Sequence, residues 1–145
     1  MHGAVLNRLV FVSPWFLAEG RNSSNHIDKK SKIDQVILVK IGIILGTKDP
    51  EVVFNAFRLG TLALRNGHRV WIFLVNHGVE IEDIETTAFN IREQIFLFTK
   101  KEGEIYTCVT SMKAHNRKET GVCKPHSQDD LLALVTSSEK VLSFG

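Results

Sequence analysis

The sequence predicts an α/β domain: a three-layer α/β/α sandwich built on a mainly parallel sheet of about five strands. Apolar, β-branched runs of strand length alternate with longer segments whose apolar residues recur at helical spacing. The joints between these segments are short. Alternating strands and helices with short joints are typical of right-handed βαβ units, which form parallel sheets covered by helices.

The first thirty-three residues differ from the rest of the chain. A short apolar piece at residues 9–17 is followed at residues 20–32 by a polar run rich in turn formers. We interpret residues 1–33 as a tail or linker and residues 34–145 as the folded domain. The apolar piece is about as long as a signal-peptide core, but its flanks do not fit one, so we expect a cytoplasmic protein.

The first predicted unit is a strand followed by a long helix. Residues 35–43 are continuously apolar and β-branched, which indicates a strand covered on both faces. Asp49 followed by proline is a strong helix start, and Gly67 a natural stop, so we predict a helix over residues 50–66. Apolar residues cover more of this helix than one face, which indicates a second contact, with another subunit.

The second unit repeats this order. Residues 68–75 form a buried strand, and residues 76–78 turn at its carboxyl end. Residues 79–89 are an acidic loop or a short helix. A capping box then opens a helix over residues 90–101.

The last part of the chain contains two shorter helices and a closing strand. Residues 105–108 are rich in β-formers, and a short helix follows and ends near Asn116. Residues 117–125 are polar and are predicted to be a loop. Ser127 opens a capping box before another helix, and residues 140–144 form the closing strand.

Composition excludes several classes of function. The net charge is +2, with both signs interspersed, so we expect neither nucleic acid nor an anionic membrane as a partner. No apolar run reaches the roughly 18 residues that span a bilayer. Two cysteines cannot form a disulfide framework, which favours a reducing compartment with free thiols.

Motifs for the common cofactors are also missing from the sequence. Neither a glycine-rich dinucleotide fingerprint nor a phosphate-binding loop follows a predicted strand. The six histidines are scattered, without zinc-ligand spacing. We therefore predict no organic cofactor and no metal.

Cys108 is the candidate reactive residue. It lies where the strand at residues 105–108 gives way to a helix, at the carboxyl edge of the predicted sheet, where ligands gather in such folds. Backbone N–H groups at a helix start favour an anion and lower the pKa of a thiol. The alternative is a buried packing residue, because cysteine is among the most buried residue types.

The chain from about residue 35 to residue 144 resembles the DsrE family of sulfur-relay proteins. The resemblance is carried by residues 49–59, 63–68, 70–75, 77–79 and 103–108, and by the ending at residues 130–135 and 140–144. It implies a DsrE-like fold, a homo-oligomer and partner proteins that donate and accept sulfur. It also implies a persulfide carrier, or sulfurtransferase, that needs no cofactor.

The resemblance assigns the sulfur-carrying role to Cys108. Many relatives have a second cysteine three residues later, where this chain has Ser111, so a dithiol between these positions is excluded. Ser111, Lys113, His115 and His77 are the expected supporting residues, as hydrogen-bond donors, nearby positive charges or lining groups. The candidate second thiol is Cys123, where relatives of this subgroup tend to have a cysteine.

Two other functions compete with the sulfur carrier. The first is a non-enzymatic, oligomeric binding module that kept the fold and lost the relay chemistry, which the loss of the second cysteine at Ser111 favours. The second, weaker one is a thiol redox sensor that uses Cys108 and Cys123. The reactivity of Cys108 distinguishes them.

Overall fold

The structure is a computed structural model that describes residues 37–145, so the predicted tail or linker at residues 1–33 lies outside the described residues. The strands are β1 (Lys40–Leu45), β2 (Arg69–Leu74), β3 (Glu104–Cys108), β4 (Lys124–His126) and β5 (Lys140–Phe144). The helices are α1 (Pro50–Arg65), α2 (Ile91–Lys100), α3 (Val109–Ala114) and α4 (Gln128–Ser137), with a 3₁₀ helix at Asn76–Asp83.

The five strands form one sheet in the order β4-β3-β2-β1-β5, and every pair of neighbours is parallel. This confirms the predicted α/β class and the five-stranded parallel sheet. From β1 the chain adds β2, β3 and β4 in turn on one side of the sheet. It then crosses back and adds β5 on the other side of β1. In a parallel sheet all carboxyl ends meet at one edge, and the loops that follow β1, β2 and β3 therefore lie together.

Helices cover both faces of the sheet. On one face, α1 and α2 pack over a large core that contains Phe57, Phe98 and Ile43. On the other face, Leu134 of α4 packs with Phe73 and Cys108 in a smaller cluster. The three predicted layers are present, but the layer that holds α4 buries far fewer apolar side chains.

Two strand assignments differ from the sequence-based prediction. The first strand was predicted over residues 35–43; residues 35 and 36 lie outside the described residues, residues 37–39 lie outside the ladder, and the strand begins at Lys40, which pairs with Arg69. The predicted loop at residues 117–125 ends in a strand, β4, whose three residues pair with the end of β3. A strand of three residues that contains proline is too short to show an alternating pattern in the sequence. It is recognised only by its pairing with the neighbouring strand.

The helix starts agree with the capping signals in the sequence. The Asp49 side chain accepts hydrogen bonds from the first N–H groups of α1, and Ser127 and Asp130 form a reciprocal capping box on α4. Within residues 37–145, none of the helices has the length and apolar character needed to cross a membrane.

Candidate functional site

Three loops meet at the carboxyl edge of the sheet. They follow β1, β2 and β3, and side-chain contacts join them: Lys48 reaches Glu80, and Ser111 reaches Asn76. The loop after β2 approaches the end of β1 closely, since a Cβ atom at Gly78 would overlap the carbonyl oxygen of Leu45. Glycine at this position thus lets the 3₁₀ helix start directly against the end of β1.

Cys108 ends β3 and is the N-cap residue of α3. It is 7% exposed and packs with Phe73 and Leu134 in the cluster beneath α4. The residue next to it, Thr107, points to the opposite face and is fully buried. Strand alternation therefore directs the Cys108 side chain toward α4, while its position at the strand end keeps it at the sheet edge.

Opposing effects set the pKa of the Cys108 thiol. Burial raises it, but hydrogen bonding to the Ser111 hydroxyl and N–H, and to the Thr110 N–H and hydroxyl, outweighs burial and holds the pKa below its ordinary value. Cys108 makes no capping hydrogen bond through its side chain. Such first-turn donors stabilise a thiolate more than a thiol, because a thiolate accepts hydrogen bonds far better than a thiol does. Because α3 has only six residues, these first-turn groups supply the effect rather than a long helix dipole.

Ser111 links Cys108 to the loop after β2. Its Oγ atom accepts a hydrogen bond from the Asn76 N–H at 3.0 Å. A hydroxyl has a single hydrogen to donate, and since the Asn76 contact uses a lone pair, that hydrogen remains available for the Cys108 sulfur. Asn76 itself has φ of 48°, a left-handed conformation that is uncommon for a residue other than glycine.

A second group of side chains lies beside this turn. Glu80 Oε2 is 2.8 Å from His77 Nδ1, 3.1 Å from Lys48 Nζ and 3.6 Å from His115 Nδ1. The two imidazole rings meet edge to face, with centroids 4.6 Å apart. Hydrogen bonds from His77 and Lys48, together with the charge of His115, hold the pKa of the Glu80 carboxyl below its ordinary value.

The predicted supporting residues divide into two positions. Ser111 lies at the thiol, whereas His77 and His115 contact Glu80. The six-residue helix α3, about 9 Å long, separates Cys108 from His115. Lys113 is exposed in the last turn of α3. There its charge complements the carboxyl end of the helix rather than the sulfur.

Cys123 lies on the other face of the sheet from Cys108. It is 2% exposed and belongs to the core that α1 and α2 cover. Burial, the hydrogen bond to Glu82 and the charge of Glu82 raise the pKa of its thiol to about 12. Cys123 therefore has the environment of a packing thiol, with almost no thiolate at neutral pH.

Three site residues were missing from the sequence-based prediction. Thr110 adds donors at the thiol, Asn76 positions Ser111, and Glu80, predicted only as part of the acidic loop or short helix at residues 79–89, contacts both histidines. A signal for Glu80 was its spacing of three residues from His77, which brings two side chains together in a 3₁₀ helix. The contact between Asn76 and Ser111 joins residues 35 apart and has no local signal.

Comparison with solved structures shows the fold. The YchN protein of E. coli superposes with a TM-score of 0.64 at 17% identity, over 74% of this chain and 100% of that one. A conserved protein of unknown function from Bacteroides thetaiotaomicron, BT1422, gives a TM-score of 0.57 at 18% identity, over 72% of this chain and 93% of its own. No family model and no curated protein matches the chain. At these identities the likeness supports a DsrE-like fold and assigns no activity.

Proposed function

We propose that the protein is a small sulfur carrier that accepts and donates persulfide sulfur on Cys108. The observation that carries the proposal is the place of Cys108 at the carboxyl end of β3 and the start of α3, where Ser111 and Thr110 hold the pKa of its thiol below the ordinary value although the residue is largely buried. A packing cysteine has no need of such donors, and Cys123 illustrates the contrast, since burial and Glu82 raise its pKa. The resemblance to sulfur-relay proteins supports the same role.

The proposed transfer needs only thiol chemistry. The Cys108 thiolate attacks the outer sulfur of a donor persulfide, the donor S–S bond breaks, and its electron pair leaves with the donor thiolate. Cys108 then holds the sulfur as a persulfide. An acceptor thiolate attacks that outer sulfur, forms the new S–S bond and releases the Cys108 thiolate, so no net oxidation occurs. Donors at Thr110 and Ser111 stabilise the thiolate before and after transfer.

Intact-mass spectrometry tests the proposal. After incubation with cysteine persulfide and removal of excess reagent, we expect the wild type to gain the mass of one sulfur atom and to lose it to an added thiol acceptor. The variant Cys108→Ala should gain none, whereas the control Cys123→Ala should behave as the wild type. An equal adduct on Cys108→Ala would remove Cys108 from the role.

The non-enzymatic binding module is the second candidate. The low exposure of Cys108, 7%, favours it, because a relay cysteine must meet a partner's sulfur.

Leu59 and Leu62 of α1, exposed by 42% and 57%, and Phe96 of α2, exposed by 60%, offer apolar contacts on the outer helical face. We propose that a second copy of the chain covers this face, as the resemblance implies. Sedimentation velocity checks it: Leu62→Lys should weaken the oligomer, and the exposed control Leu132→Lys on α4 should not.

A further inference from the structure

His77, Glu80 and His115 form a three-ligand cluster at the carboxyl edge. One ligand atom from each residue lies within 4.8 Å of the others. His77 and His115 both direct Nδ1 toward the same oxygen, Glu80 Oε2, at 2.8 and 3.6 Å. Two imidazole nitrogens and one carboxylate oxygen are a ligand set that zinc uses with a fourth position left open.

The two separations that end at Glu80 Oε2 suit a tetrahedral ion, and all three ligand atoms lie within 4.8 Å of one another. Zinc–nitrogen and zinc–oxygen bonds of about 2.0–2.1 Å place neighbouring ligand atoms about 3.3 Å apart at tetrahedral angles. The separations of 2.8 and 3.6 Å lie on either side of that value. Small rotations of the two rings are therefore sufficient to admit the ion; the His77 side chain is 60% exposed and that of His115 is 23% exposed.

The 3₁₀ helix and two flanking contacts hold the cluster in place before any ion binds. His77 and Glu80 are three residues apart in a 3₁₀ helix, where side chains at this spacing eclipse one another. His115 comes from the end of α3, which is fixed to the 3₁₀ helix on both sides of the cluster. Two contacts fix it: the Asn76–Ser111 hydrogen bond before the cluster and the bidentate Arg117–Asp83 pair after it.

Lys48 is the residue that opposes a cation. Its ammonium group lies 3.1 Å from Glu80 Oε2 and occupies part of the space near that oxygen. The side chain is 54% exposed, so it can leave toward solvent when an ion binds. A bound divalent cation would replace its single charge with two at the same carboxylate.

We propose that His77, Glu80 and His115 bind one divalent cation of the zinc class through two Nδ1 atoms and Oε2, with an open fourth position. The site joins the loop after β2 to α3 and includes neither cysteine. It does not depend on the sulfur-carrier proposal, and the two can fail separately. The sequence did not predict this cation site, because His115 is 35 residues from Glu80 and the ligands have no local spacing.

Calorimetric titration of the full-length protein with Zn²⁺ tests the site at a pH of about 7.5, where histidine is ordinarily neutral. We expect one tight site per chain that His115→Ala and Glu80→Gln weaken by about 10-fold or more, since even groups that only support a ligand are worth 10–100-fold. His126→Ala is the matched control, because His126 also faces a carboxylate, Asp130, but the structure at residues 37–145 places no third ligand beside the pair. Lys48→Ala should bind more tightly than the wild type.

Cobalt supplies the second measurement. Co²⁺ at a site of two imidazoles and a carboxylate gives visible d–d absorption without the sulfur-to-metal charge-transfer band that a thiolate ligand adds. We expect that spectrum in Cys108→Ala as in the wild type, and its loss in His115→Ala. Equal zinc affinity in the wild type, His115→Ala and Glu80→Gln would overturn the proposal and leave the cluster as a hydrogen-bonded ion pair. A charge-transfer band that Cys108→Ala abolishes would overturn the ligand assignment.

Discussion

At the residue scale, Ser111 decides the character of the candidate thiol. Its hydroxyl accepts from Asn76, and its hydroxyl and N–H act on Cys108. At the position where the family that the sequence resembles often has a second cysteine, this chain therefore has a hydroxyl that can stabilise a thiolate but cannot form a disulfide. A serine here excludes a dithiol with Cys108 and leaves a hydrogen-bond donor for a single thiol.

Replacing Ser111 with alanine should raise the pKa of Cys108. A hydrogen bond to a charged group contributes about 1.5–3 kcal/mol, so the pKa should rise and the thiolate fraction at neutral pH should fall. The pH dependence of iodoacetamide alkylation, measured in a Cys123→Ala background, reports this pKa. Ser111→Thr retains a hydroxyl and should largely restore the wild-type profile, while Ser143→Ala on β5 should leave it unchanged. A Ser111→Ala profile that overlays the wild type would show that the donors at Thr110 suffice.

At the element scale, short helices determine the site more than long ones. The six residues of α3 lie between its caps, Cys108 and His115, and the 3₁₀ helix contributes Asn76, His77 and Glu80. Neither element could form alone, since isolated helices of this length are unstable in water. Each is held by its contacts with the other, so the two halves of the edge are expected to fold and unfold together.

The capping box of α4 gives a pH-dependent prediction at the same scale. Hydrogen bonds from the Ser127 N–H and hydroxyl, with the charge of His126, hold the pKa of Asp130 below its ordinary value of about 3.9. A carboxyl whose pKa is lower when folded stabilises above its unfolded pKa, and that contribution disappears as pH falls through the folded pKa. Asp130→Ala should therefore lower the free energy of unfolding at pH about 6 and above, by an amount that vanishes in acid.

Urea unfolding at a series of pH values measures this difference. Asp129→Ala is the matched control, because Asp129 lies in the same first turn but outside the capping box. It should show a smaller effect. A constant difference between Asp130→Ala and the wild type down to the lowest pH would contradict the role of the ionised carboxylate.

At the scale of the whole molecule, the sheet separates the two cysteines. Cys108 packs under α4, and Cys123 lies in the core beneath α1 and α2. The strand register pairs Cys108 with His126, three residues beyond Cys123, which adds about 10 Å along the strand. Disulfides form between Cα atoms no more than about 7 Å apart. The geometry thus opposes the redox sensor that would join the two thiols.

Oxidation of the native protein should give no Cys108–Cys123 disulfide within one chain. Diamide treatment followed by peptide mapping without reduction checks this. The same treatment in denaturant is the control, and there the cross-linked peptide should appear. Finding that peptide in native monomer with an unchanged circular dichroism spectrum would contradict the separation of the two thiols by the sheet.

The sequence by itself determined the α/β class, the alternation of strands and helices, the caps at Asp49 and Ser127, and the position of Cys108 at the end of a strand. Each is a local property, because periodicity, capping and turn chemistry depend on residues a few positions apart. The parallel sheet followed from the short joints between these elements.

The tertiary structure decided what the site is made of. It paired β4 with β3, turned Cys123 away from Cys108, and brought Lys48, Glu80 and His115 together from three separate loops. Lys48 is 32 positions from Glu80, and Glu80 is 35 positions from His115. No pattern among neighbouring residues predicts that these three side chains lie together. Strand order and register fix these contacts, and both depend on the packing of the whole chain.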